Sequence, residues 1–209
     1  MAFPLASIHI YPVKSCAPVT LKSSAVETRG LARDRRWMVI DADGKFLTGR
    51  KHARLTLIRA LPNADGSLHL DAPATAGIRV PVPDTHGRRI DTAVWDNAVA
   101  PLLADEAPNA WLSKFLGAPA RLVHMDAECV RAVDAKYARA GDEVSFADGF
   151  PLLLISQAAL DLLTSKLAAP VPALRFRPNL VVADTEPHAE DGWKRIRVGE
   201  VEFDVVKPC

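Results

Sequence analysis

Trp37-Met38-Val39-Ile40-Asp41-Ala42-Asp43-Gly44-Lys45-Phe46-Leu47-Thr48 joins two strand-like runs through an Asp-Gly turn. Asp and Gly both tolerate a positive φ, so this stretch predicts a β-hairpin. The pattern continues outward in both directions. Upstream, Ala6, Ile8 and Ile10 alternate with Ser7, His9 and Tyr11, the period of a half-buried strand. Downstream, Leu55–Ala60 and Ser67–Asp71 flank Pro62-Asn63-Ala64-Asp65-Gly66, a second hairpin pattern, and Ile78–Val82 and Arg89–Val94 add further strands. Several of the 16 prolines fall between these runs and punctuate them. Short strands at this spacing predict a barrel or a sandwich.

The second half differs. Asn109–Leu116 puts Trp111, Leu112, Phe115 and Leu116 on one helical side, and Gly117 follows as a C-terminal stop. Ser156 is placed to cap a helix running to about Leu167, with Leu160, Leu163 and Leu167 as its apolar stripe. Strands are expected at Arg121–His124 and Leu180–Ala183, and a last hairpin at Arg195–Val198 and Val201–Val206, turning at Gly199-Glu200. The fold class expected is mainly β with α. The pattern changes between Asp96 and Pro108, which suggests two units, residues 1–100 and 101–209.

Composition excludes several classes of protein. The 209 residues are 49% hydrophobic and 24% charged, as in ordinary globular chains. A net charge of +1 gives no overall pull toward nucleic acid or an anionic membrane. Phe150–Ile155, the longest strong apolar run, is too short to span a bilayer. The N-terminus lacks the basic start and long apolar run of a secretory signal. Cys16, Cys129 and Cys209 are odd in number and far apart, which fits a reducing compartment. A cytoplasmic location is therefore expected.

Four clusters could carry chemistry, and each has a bland alternative. Tyr11-Pro12-Val13-Lys14-Ser15-Cys16 offers a cation and a hydroxyl suited to phosphate, or a solvated turn. Arg33-Asp34-Arg35-Arg36, with Thr48-Gly49-Arg50-Lys51 beyond, matches phosphate or carboxylate through arginine forks, or is a strand end with Asp34 as ion-pair partner. If the strand begins there, Arg35 and Arg36 face opposite sides. Arg175-Phe176-Arg177-Pro178-Asn179 would project both arginines to one side if extended, an arrangement that Pro178 favours. Asn179 both donates and accepts, which suits a heterocycle. His188-Ala189-Glu190-Asp191 fits no standard zinc spacing and reads better as a loop before the last hairpin. Cys209 is either a small hydrophobe or a soft metal ligand. Cys16 and Cys129 read as structural thiols, and His9 and His124 as packed residues. No nucleophile elbow, phosphate loop or dinucleotide fingerprint is present.

Taken in order, YPVKSC, GLARDRRWMVID and FLTGR resemble the MOSC N-terminal β-barrel domain. FADGFPLLLISQAALDLLTSKL, RFRPNLVV, EDGW and a hairpin ending in KPC resemble the MOSC domain. The resemblance covers essentially the whole chain and points to the branch of the mitochondrial amidoxime-reducing components and their bacterial relatives. It implies an N-terminal β-barrel-like domain, then an incomplete MOSC barrel with a few helices. It also implies a molybdenum cofactor, a pterin dithiolene carrying oxo-molybdenum with one cysteine ligand. The implied activity is reduction of N-hydroxylated compounds such as amidoximes and hydroxylamino-purines, with electrons from a ferredoxin- or cytochrome-like protein. Carried over by position, Lys14, Ser15 and Arg35 hold the cofactor's phosphate, Ser156 lines the pterin region, and Arg177 and Asn179 contact the pterin. Cys209 is the metal ligand or its near neighbour. Family members continue for roughly another 60 residues, in keeping with ordinary domain sizes. Pyridoxal phosphate binding is a further expectation of the resemblance. The alternatives are a non-catalytic cofactor or sulfur carrier, or an inactive fragment of the enzyme.

Overall fold

A computed structural model describes residues 2–208. Its strands are β1 (Leu5–Ile10), β2 (Val19–Leu21), β3 (Val26–Glu27), β4 (Gly30–Leu31), β5 (Trp37–Ile40), β6 (Arg59–Pro62), β7 (Leu68–Ala72) and β8 (Thr75–Val80). They continue with β9 (Thr92–Val94), β10 (Asn97–Val99), β11 (Leu102–Leu103), β12 (Arg121–His124), β13 (Leu154–Ser156), β14 (Leu180–Val182), β15 (Arg195–Val198) and β16 (Val201–Asp204). The two α-helices are α1 (Glu106–Leu116) and α2 (Gln157–Ser165). The fold is mainly β with α, as expected. Its sheets have two to four strands each and form no closed barrel among the described residues. No described helix is long and apolar enough to cross a membrane.

Two sheets position the site. The larger runs β13-β14-β1-β2, with β14 antiparallel to β1 and parallel to β13. Leu180, Val181 and Val182 are all buried, as an inner strand covered on both faces requires. Because β1 and β14 are antiparallel and Ile8 pairs with Leu180, the chain leaving β1 at Tyr11 meets the chain entering β14 at Asn179. The second sheet runs β11-β12-β5. Its β5 buries both faces: Trp37 and Val39 enter one core with Leu55, Leu112 and Phe115, while Met38 and Ile40 enter another with Val123 and Phe146. Each such side chain contributes about 1.5–3 kcal/mol. Pro12 O accepts from Trp37 N, and Lys14 N donates to Trp37 O at 2.8 Å. The start of β5 is thereby tied to the Tyr11–Lys14 segment.

The Asp-Gly turn forms as predicted: Asp41 Oδ1 accepts from the amides of Asp43 and Lys45, and Gly44 has φ 82°. The return run is shorter than expected. Phe46 and Lys45 make only isolated bridges, to Ile40 and Ala93. Leu55–Ala60 is also not one strand. Ala53–Leu57 is a 3-10 turn; Leu55 and Ile58 are buried while Leu57 is exposed, a three-residue spacing that suits a turn better than a strand. The expected strand at Ile78–Val82 starts earlier and stops at Val80, where Pro81 and Pro83 remove ladder donors. Arg89–Val94 contracts to Thr92–Val94. Helix α1 begins at Glu106 and ends at Leu116, capped by Gly117 with φ 74°. Helix α2 stops at Ser165, so Leu167 lies beyond it, 42% exposed, and the buried stripe reduces to Ala159 and Leu160. The β6–β7 and β15–β16 hairpins form in the expected places.

Candidate functional site

Three chain crossings converge on Tyr11. Its amide donates to Asp34 Oδ1 at 2.7 Å, its carbonyl accepts from Arg35 N at 2.9 Å, and its hydroxyl donates to Pro178 O at 3.1 Å. Burial pushes its phenol up to about 12. Two guanidiniums lie against the ring, Arg35 at 4.5 Å and Arg177 at 4.1 Å from the centroid. The backbone needed for this is not extended. Arg35 has φ 50°, Arg177 φ 59° and Ser15 φ 69°, left-handed values that cost non-glycine residues energy and concentrate at functional sites. This corrects two expectations. Ala173–Arg175 is a 3-10 turn, so Arg175 and Arg177 do not share one face of an extended run, and Arg35 precedes the strand instead of alternating within it.

The cations have unequal partners. Asp34 is completely buried and accepts from Arg35 Nη1 at 2.5 Å. Arg35 also donates to Asn179 Oδ1 at 3.0 Å and to Arg177 O at 3.1 Å. Lys14 Nζ donates to Phe146 O at 2.7 Å and to Asp148 Oδ1 at 2.5 Å. Burial pulls its ammonium down to about 8, against the opposing effect of Asp148. Arg177 is different: its Nη2 is buried and has no hydrogen-bond partner. Burial and the neighbouring Arg35 charge lower its pKa. Three cations thus face two carboxylates, one of which (Asp34) is bound to Arg35. A buried charged donor without an acceptor is costly, and an anion is the group that would satisfy it.

The other nominated residues sit as follows. Asn179 is buried, and its amide ties neighbouring segments together: Nδ2 donates to His9 O, while Oδ1 accepts from Arg35 and from Leu153 N. It is a strut of the site that retains one amide N–H. Ser15 is half-buried beside Gly49 of the Leu-Thr-Gly-Arg segment; a Cβ at Gly49 would lie 3.7 Å from Ser15 Cβ. Ser156 is fully buried and caps α2, accepting from Ala159 N at 3.2 Å, while its own amide donates to Glu190 at 2.7 Å. Its recorded contacts lie with α2 and Glu190, two rungs along from the Leu154–Leu180 pair, and not with the Tyr11 cluster. Cys209 lies outside the described residues. Lys207, two residues earlier, lies over the rings of Tyr137 and Phe150, at 5.7 and 6.0 Å.

Sequence reading missed Asp148 and Arg131. Buried Arg131 donates to the carbonyls of Ser145, Ala147 and Asp148 and so fixes the loop that presents Asp148 to Lys14. The Asp148-Gly149 pair after the apolar Phe146-Ala147 was the available signal. The His188–Asp191 segment forms a 3-10 turn before β15, and no group of three or more metal-type ligands occurs among the described residues.

A second arginine-rich region lies beside the start of β5. An open cleft of about 660 Å³ is lined by Arg29, Arg33, Arg36, His124, Asp126 and Glu143, among others. Arg29 donates to Glu143 at 2.6 Å and Arg36 to Glu27 at 2.6 Å. His124 packs against Trp37 with its ring tilted and the centroids 4.4 Å apart, and burial pulls its imidazole down to about 4.

Residues 2–119 match the MOSC N-terminal beta barrel domain, and residues 141–209 match the MOSC domain. The chain belongs to the MOSC family. Among curated MOSC relatives, it is 33% identical over 223 residues to human mitochondrial amidoxime-reducing component 1, a match covering 98% of this chain and 63% of that protein. The mouse protein of the same name is 33% identical over 215 residues, with the same coverage. Rice molybdenum cofactor sulfurase is 32% identical over 233 residues, covering 98% of this chain and 27% of the sulfurase. The chain therefore spans about two thirds or less of the relatives that it matches.

Proposed function

We propose that this chain carries the phosphate- and pterin-binding part of a molybdenum-cofactor oxidoreductase that reduces N-hydroxylated compounds such as amidoximes and hydroxylamino-purines. The observation that carries the reading is the Tyr11-centred cluster with its buried, partnerless Arg177 Nη2. The donor set fits a phosphate-bearing cofactor: Lys14 and Arg177 are the cations within reach of an incoming anion, Ser15 adds a hydroxyl, and Arg35 is held by Asp34 as the fixed support of the cluster. Asn179 orients Arg35 and retains one N–H for a heterocycle. Ser156 acts by fixing the start of α2. The bound cofactor supplies the two-electron chemistry; the chain binds and orients it. Cys209, as ligand or near neighbour of the ligand, belongs to the same proposal. A ferredoxin- or cytochrome-like electron donor, a cytoplasmic location and a division at residues 100/101 complete it.

The test is production in a host that makes molybdenum cofactor, in a form extended to the length of the relatives. Metal and pterin content are then measured together with benzamidoxime reduction by a reduced ferredoxin or cytochrome. Bound molybdenum with turnover is expected; a metal-free protein from that host refutes the reading. The rice sulfurase match supports a second reading, a cofactor or sulfur carrier without turnover, which predicts bound cofactor and no reduction of any substrate. An inactive fragment predicts activity only after extension. Pyridoxal phosphate would meet the same phosphate contacts, and a chromophore bleached by borohydride would identify it.

A further inference from the structure

The β9–β10 hairpin turns through only two residues, Trp95 and Asp96, because Val94 pairs with Asn97. Trp95 has φ 54°, and the first residue of such a turn is ordinarily Gly, Asn or Asp when φ is positive. A bulky residue there is strained. Nor is the indole buried in a core, since 46% of its surface is exposed. Neither turn geometry nor packing explains a tryptophan at this position. Its contacts do. The indole Nε1 donates to Asp148 Oδ1 at 3.3 Å, the same oxygen that accepts from Lys14. Phe46 meets the indole edge-on at 5.1 Å, and the Lys14 ammonium lies 5.4 Å over Phe46. The Arg50 guanidinium is 5.6 Å from the indole centroid. An aromatic wall therefore stands beside Lys14, fastened to its counter-ion, about half exposed and with the Arg50 guanidinium over the indole.

We propose that Trp95 is a substrate-binding residue whose exposed indole stacks on the planar, conjugated part of the molecule reduced at this site, an aryl amidoxime or an N-hydroxylated purine. The choice of substrate rests on the oxidoreductase reading above; the stacking wall rests on geometry alone. Asp148 holds the indole edge and Phe46 backs it, so the ring is fixed before a ligand arrives. Offset stacking on such a ring favours flat, electron-poor or heteroaromatic groups over saturated ones.

The test compares benzamidoxime with acetamidoxime, which carries methyl in place of phenyl, on molybdenum-loaded wild type, Trp95→Ala and Trp95→Phe, checked for equal metal content. Trp95→Ala raises the KM ratio of benzamidoxime to acetamidoxime about tenfold, and Trp95→Phe restores most of it. An unchanged ratio in Trp95→Ala overturns the proposal. A second measurement needs no turnover. Benzamidoxime titrated into the 209-residue chain quenches tryptophan fluorescence, and the quench is lost in Trp95→Phe. A protein that reduces neither compound but keeps this Trp95-dependent quench upholds the wall and refutes the oxidoreductase reading. Turnover of both compounds with a quench that survives in Trp95→Phe refutes the wall alone.

Discussion

Arg35 and Arg36 are neighbours in sequence and belong to different regions of the molecule. Arg35, in a left-handed turn, lies against Tyr11 beside Arg177 and near Lys14. Arg36 enters the cleft beyond Trp37, where it meets Glu27 while Arg29 meets Glu143. Both regions are rich in arginine, and each holds one arginine nitrogen that is buried without a partner. What separates them is charge balance. In the cleft each of Arg29 and Arg36 has its own carboxylate. Around Tyr11, Arg35 and Arg177 share one carboxylate, Asp34. Arginine count alone would make both regions ligand sites; balance and burial single out the first.

The comparison predicts its largest effect at Asp34. This carboxylate is fully buried and is the recorded ion-pair partner of Arg35. Replacing it by Ala leaves a buried guanidinium uncompensated and the Tyr11 amide without its acceptor. Asp34→Ala is expected to cost about 3–5 kcal/mol in chemical denaturation. A loss under about 1 kcal/mol would mean that water reaches Arg35 and that the cluster is not a closed lattice. The cleft has its own large effect, set by acid. His124 falls from 6.5 to about 4 in the fold, so the unfolded chain binds its proton more readily. Its contribution is complete above about pH 6.5 and is lost as pH falls through 4, up to about 3 kcal/mol. His124→Phe should flatten the acid limb of the stability curve between those values; an unaltered limb assigns acid sensitivity elsewhere.

Binding separates the two regions more sharply than stability does. Arg177→Gln removes a donor that no protein group accepts from, so phosphate affinity should fall about tenfold, or 1.4 kcal/mol. The fold should lose little, because relief of a buried, partnerless charge offsets the lost ring contact. Unchanged phosphate titration calorimetry in this variant would remove the anion site from the Tyr11 cluster. Lys14 adds a pH signature. With its ammonium near 8, phosphate affinity should decline as pH rises through 8, a trend missing from Lys14→Gln. Stability moves the other way. Between pH 8 and 10.5 the unfolded chain holds the Lys14 proton more tightly, so this group makes the fold more stable as pH rises.

Most of the strand layout could be read from the sequence. Trp37–Ile40 and Arg121–His124 have the expected limits, because each centres on apolar residues that the core takes up, all four of the first and Leu122-Val123 of the second. The turn at Ala53–Leu57 was misread since a three-residue apolar spacing over four residues resembles alternation. At the site, the runs around Lys14, Arg35 and Arg177-Pro178-Asn179 stood out as residue types, while the cofactor roles of Lys14, Ser15, Arg35, Ser156, Arg177 and Asn179 came from the family resemblance; the structure brings Arg35, Arg177 and Asn179 together around Tyr11 and leaves Ser156 with α2 and Glu190. Their postures were not legible. Left-handed Arg35 and Arg177 depend on Tyr11, Asp34 and Asn179 holding them from distant parts of the chain, and no local propensity encodes that. Asp148 and Trp95 were missed for the same reason, since only the fold brings Trp95 Nε1 and Lys14 Nζ to one Asp148 oxygen.

The smallest effect completes the contrast. Arg36→Gln breaks the ion pair with Glu27, whose side chain is half exposed. Such pairs contribute about 0.2–1 kcal/mol. A cost in that range is therefore expected in denaturation. Phosphate affinity should match wild type, because the Arg36 charge is answered by protein. The measurement is most informative beside Arg177→Gln under identical salt. If both variants weaken phosphate equally, the anion responds to total positive charge and the site is diffuse. If only Arg177→Gln does so, the unbalanced cluster around Tyr11 is the anion's seat, and the neighbouring arginine is structural.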